Sequence, residues 1–148
     1  MNPKRLVLAI FAAFVGIFAT DFLIHGFWLA IRYKETASLW RPEAEMQSHM
    51  RWLMAGQFLA AATFTVLWAK GFAATACLRC ACAFGAFMGL FSQASTFITY
   101  AVQPFPEDIA IKWVISGVVR GVLIGILVFY VYKPKPDSAK IESDPRLN

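Results

Sequence analysis

Residues 109–132 run IAIKWVISGVVRGVLIGILVFYVY. Apart from Lys112 and Arg120, this stretch is built from aliphatic and aromatic side chains, three glycines, an alanine and a serine. A helix on the surface of a soluble domain needs a polar stripe opposite its apolar face. Val122 to Val131 has none, being apolar all the way round. An α-helix rises about 1.5 Å per residue, so a run of this length covers the roughly 30 Å of a hydrocarbon core. The stretch therefore reads as a transmembrane helix.

Three further blocks have the same character. They run over about 6–31, 52–68 and 77–102, with 109–132 as the fourth. The chain has 148 residues, 59% hydrophobic and 16% charged; soluble domains carry about a quarter charged residues. The expected fold class is all-α: a polytopic membrane protein, an antiparallel four-transmembrane-helix bundle occupying residues 1–133. Residues 134–148 are polar and proline-bearing, and read as a disordered cytoplasmic tail. A cleaved signal peptide is the rival for the first block, but its apolar region would be short. Here the apolar character continues to Ile31, interrupted by Asp21 and His25. Span two is expected to start as a helix near Pro42, with acids Glu43 and Glu45 in its first turn, and to end on Lys70 with Gly71 as a left-handed cap.

Basic residues flank the blocks, where they orient a membrane protein and meet lipid headgroups. With four spans, one side holds Lys4, Arg5, Lys70, Arg79, Lys133, Lys135, Lys140 and Arg146, and the other Arg32, Lys34, Arg41, Arg51 and Lys112. The richer side is expected to be cytoplasmic, with both termini on it. The net charge of +5 is thus an anchoring signal, and nucleic acid is excluded as a partner. The bilayer is the partner implied, with a homo-oligomer or another membrane protein left open.

Gly117, Gly121 and Gly125 are spaced by four, as are Gly85 and Gly89, and Gly56 with Ala60. Small residues at this spacing share a helix face and allow close backbone approach, a main source of helix association in lipid. Packing within the monomer is preferred over dimerisation through span four.

Asp21 and Arg120 lie inside spans, where each isolated charge costs about 2.5–3.5 kcal/mol on insertion scales. Asp21 is roughly 16 Å inside Arg32, and Arg120 roughly 12 Å inside Lys112, at helical rise. Their similar depths imply an ion pair between spans one and four. His25, Gln57, Gln93 and Thr96, with Ser92, reach the same outer half, so a polar cluster is expected there and a fully connected network is possible. Such a network either fixes helix pairing or lines an outward-facing pocket for a proton or polar solute, with His25 able to titrate near neutral pH. No helix broken at mid-depth is expected.

Cys77, Cys80 and Cys82 begin span three. They lack a fourth ligand for zinc and a βαβ context for a redox pair, so they read as small apolar side chains in a reduced compartment. His49 reads as a solvated loop residue. No catalytic constellation, metal site or cofactor site can be assembled. The functional expectation is a non-enzymatic packing or interaction protein, the alternative being a small carrier or sensor.

Asp21-x-x-x-His25-Gly26, Thr36-Ala-Ser-Leu-Trp40-Arg41-Pro42, Ala69-Lys70-Gly71 and Tyr100-Ala-Val-Gln103-Pro104 together resemble a group of small four-span bacterial membrane proteins of unassigned function. The resemblance covers about residues 5–133. It implies a bacterial inner membrane and no particular activity. The cysteine triplet departs from that pattern.

Overall fold

The computed structural model describes residues 2–75 and 77–132. The expected tail, 134–148, lies outside them. Every regular element among the described residues is helical, and four helices are long and apolar enough to cross a membrane. The fold is an all-α antiparallel bundle.

Helix α1 (Pro3–Leu23) starts on Asn2, whose side chain accepts the Arg5 N–H at 3.3 Å. Pro3 falls in the first turn, where its missing donor costs nothing. The first span is not one unbroken α-helix. A π-helical turn, Ile24–Trp28, follows α1, and the Leu29 N–H closes it on the Ile24 carbonyl at 2.9 Å. Such a turn holds an extra residue and rotates everything beyond it. Helix α2 (Ala30–Glu35) then resumes, with Leu29 fully buried at the junction.

Helix α3 (Glu43–Gly71) carries Glu43 and Glu45 in its first turn and Lys70 in its last. Pro42 takes the cap position, so the helix starts at Glu43, one residue later than a helix with Pro42 in its first position. Gly71 does not form the expected left-handed cap: no described residue has a positive φ, and the chain passes through Phe72 into a 3₁₀ turn, Ala73–Thr75. Helix α4 (Leu78–Val102) and helix α5 (Glu107–Val131) complete the bundle, the latter opening on Pro106 with Glu107 and Asp108 in its first turn. The start of α1, the end of α5 and the α3–α4 junction share one end, called the terminal end below. The 36–42 loop and the 103–106 connection share the other, the loop end.

The tightest pair is α4 with α5, and the glycines are the reason. A Cβ on Gly85 would collide with the Gly121 carbonyl, one on Gly125 with the Ala81 carbonyl, and one on Gly89 would lie 2.7 Å from the Gly117 oxygen. The glycine seam is thus filled within the chain. Gly56 belongs to no such seam, since nothing lies within 4 Å of the position a Cβ would take.

Helix α1 packs between α3 and α5, whereas α3 and α4 do not run side by side. They meet at the terminal end, where Phe84 of α4 lies edge-on to Phe64 at 4.9 Å and tilted against Trp68 at 5.5 Å between ring centroids. All buried residues of α3 fall between Ala61 and Trp68, and none in its first half. The bundle is closed at the terminal end and opens between α3 and α4 toward the loop end.

Candidate functional site

Asp21 of α1 and Arg120 of α5 form an ion pair, with Arg120 Nη1 donating to Asp21 Oδ1. Gln57 of α3 donates from Nε2 to the other carboxylate oxygen at 3.0 Å. Three helices therefore converge on one carboxylate. The side chains of Asp21 and Arg120 keep 18% and 25% of their surface exposed, so the pair sits at the edge of open space and not in a sealed core.

That space is a cavity of about 200 Å³, lined by His25, Gln93, Thr96, Trp113, Ser116, Gly117 and Arg120. Its walls come from α4, α5 and the π-helical turn, with none from α3. On α4, Gln93 is buried; Thr96 donates to its Oε1 at 2.8 Å, and its Nε2 donates to Ser92 Oγ at 3.1 Å. A Cβ on Gly117 would overlap the Gln93 amide. This glycine therefore makes room for a polar side chain as well as for the α4 backbone, a role that spacing alone did not reveal.

His25 is held by Tyr33. Its Nδ1 lies 2.6 Å from the Tyr33 hydroxyl, which also accepts the Trp113 indole N–H at 2.7 Å. While accepting from Trp113, the Tyr33 hydroxyl can either donate its proton to His25 Nδ1 or accept from it, the roles depending on the histidine tautomer. Burial pushes the Tyr33 hydroxyl up to about 12, so it keeps this proton at any ordinary pH. Above this layer the rings of Tyr33, Trp40, Phe105 and Trp113 pack together with centroid separations of 5.1–6.0 Å.

The loop end has one further tie. Arg32 grips Asp108 with two bonds, Nε to Oδ2 at 2.9 Å and Nη2 to Oδ1 at 2.8 Å. Lys112 reaches the same carboxylate at 3.0 Å. The Asp108 carboxylate, bonded directly to Arg32 and helped by Glu35, strengthens the hold of the guanidinium on its proton.

The sequence-level residues thus gather, but not as one fully connected network. Asp21, Arg120 and Gln57 form one unit, Gln93, Thr96 and Ser92 a second, and His25 joins Tyr33 and Trp113 in a third. His25 bonds to Tyr33 and makes no hydrogen bond to Asp21. Tyr33, Trp113 and Ser116 were not singled out as site residues from the sequence. Aromatics near the ends of apolar blocks and a lone serine in an apolar run carry no site signal of their own.

At the terminal end, Cys77 and Cys80 are joined as a disulfide, while Cys82 is free. This corrects the expectation of three reduced apolar cysteines. Among the described residues, no three His, Cys, Asp or Glu side chains come together as a metal-binding group.

Comparison with protein-family models, with curated proteins and with solved structures finds no match in any of the three. The class is therefore defined by the fold and the site alone: a four-span helical membrane protein with an ion pair and a polar cavity inside the bundle.

Proposed function

We propose that this chain is a non-enzymatic, multi-pass protein of a bacterial inner membrane that binds a small acceptor-bearing solute, such as a carboxylate, in the cavity beside Arg120. Both termini are assigned to the cytoplasm, on the excess of basic residues there, so the cavity opens in the outer half of the bilayer. The observation that carries this reading is the direction of the polar groups around the cavity. Arg120 gives one Nη1 bond to Asp21, and no other acceptor among the described residues bonds its guanidinium. His25 lines the same cavity. Asp21, the acid nearest the cavity, is not among its lining residues. At about 200 Å³ the space falls below the roughly 300–1,000 Å³ of drug-sized sites, which suits a ligand of only a few heavy atoms.

A second role is supported by a separate observation. Asp21 and Gln57 do not line the cavity, yet with Arg120 they tie α1, α3 and α5 together. The polar unit thereby also fixes which helices pair, whether or not a ligand is present.

Titrating acetate and propionate into the detergent-solubilised full chain separates the two roles. Wild type should show a saturable rise in its melting midpoint, and Ser116→Leu, which fills the cavity from α5, should fold but lose that rise. If neither carboxylate shifts the wild type more than Ser116→Leu, the solute reading fails and helix pairing stands alone.

A further inference from the structure

The run Cys77-Leu78-Arg79-Cys80 places two thiols on the first turn of α4. Cys77 is the cap residue, in extended backbone just before the helix, and its Sγ accepts the Cys80 N–H at 3.1 Å. The Cα atoms stand 5.1 Å apart, inside the range a disulfide spans, and the two sulfurs are bonded.

This bond is poorly suited to holding the fold together. Disulfides stabilise mainly by restricting the unfolded chain, and the effect grows with the length of the loop they close. Here the separation is three residues, and both ends lie in one helical turn that the Ala81 N–H to Cys77 carbonyl bond already fixes at 3.0 Å. It joins no two elements. Its setting instead suits exchange. Cys77, Leu78 and Arg79 are exposed, whereas Cys80 is half-buried against the terminal-end core. A thiolate released at Cys77 would face the free N–H groups of the first turn of a 25-residue helix, with Arg79 two residues away.

We propose that Cys77 and Cys80 form a thiol–disulfide exchange site, with Cys77 as the attacking sulfur, Cys80 as the resolving one, and a low-molecular-weight or protein disulfide as co-substrate. In the oxidising direction the Cys77 thiolate attacks one sulfur of the co-substrate disulfide. That S–S bond breaks and one thiol leaves. The Cys80 thiolate then attacks Cys77 in the mixed disulfide and expels the second thiol. Two protein thiols lose two electrons and two protons, and the co-substrate gains both as two thiols. Reduction is the reverse. Cys82 takes no part, because a residue two positions beyond Cys80 lies on another face of the helix. The proposal is independent of the cavity and of any solute bound there.

Glutathione is the probe. The full chain in detergent is equilibrated across reduced-to-oxidised glutathione ratios, quenched in acid and alkylated with a mass-adding maleimide. Oxidation should remove two of the three labels in a single step, leaving Cys82 labelled throughout. Cys80→Ser should accumulate glutathione on Cys77, and Cys77→Ser should trap little. The double variant Cys77→Ser/Cys80→Ser should melt with the oxidised wild type, which a structural disulfide would not allow. A pair that stays reduced in excess oxidised glutathione, or oxidised in excess reduced glutathione, overturns the proposal. So does equal trapping by the two single variants.

Discussion

The two ends of this bundle are built on different physics. At the terminal end, Phe64, Trp68 and Phe84 interlock and α4 and α5 touch backbone to backbone through Gly85, Gly121 and Gly125. At the loop end, α3 contributes no buried residue, and beside the aromatic layer of Tyr33, Trp40, Phe105 and Trp113 the helices are tied by bonds between charges and amides around a cavity. In lipid, bringing apolar side chains together gains little from the hydrophobic effect, so close packing and hydrogen bonds must hold helices together. The terminal end uses the first, and the loop end adds the second to its aromatic layer. A bundle made only the first way would be closed throughout. The second leaves room for a solute, and it keeps α3 attached through Gln57 where its side chains do not pack.

The comparison can be broken most severely at the terminal end. Gly121→Leu would drive a side chain into the Gly85 carbonyl and the Gly89 backbone, neither of which can yield cheaply. A loss of about 3 kcal/mol or more is expected, at the upper end of overpacking costs, read as a collapse of the melting midpoint in detergent. Gly56→Leu, the matched control on α3, should leave the midpoint unchanged, because nothing stands near that position. Phe84→Ala should cost less, about 1–2 kcal/mol. It removes ring contacts but little hydrophobic transfer energy in an apolar solvent. Protease accessibility of the 72–77 connection would report it independently. The smallest effect belongs to Arg32→Gln at the loop end. Arg32 and Asp108 keep 37% and 39% of their side-chain surface exposed, so their pairing is screened and its loss should fade further as salt is added.

Much of the architecture was legible because membrane spans announce themselves through length and uniformity. The run from Val122 to Val131 admits one reading, and a constant rise per residue was enough to bring Asp21 and Arg120 to a common depth. The site was legible only as an inventory. The π-helical turn at Ile24–Trp28 depends on which carbonyl the Leu29 N–H finds, and no residue type encodes that choice. His25, on that turn, bonds to Tyr33, a partner the sequence did not single out. Gly56 and Gly117 look alike as small residues at regular spacing, yet one faces open space and the other a buried Gln93. The C-x-x-C spacing was visible, but its reading turned on where α4 begins. With Cys77 at the cap and Cys80 inside the first turn, the sulfurs can meet.

The central claim, that opposite charges on α1 and α5 hold the loop end together, is tested most directly by a melting cycle on the full chain. Its members are wild type, Asp21→Asn, Arg120→Gln and the exchanged pair Asp21→Arg/Arg120→Asp. Each single change strands a charge or leaves Gln57 poorly matched, and should cost about 1–3 kcal/mol. The exchanged pair should recover part of that loss. Single variants that melt with the wild type, or an exchanged pair that loses as much as both singles together, would contradict the account.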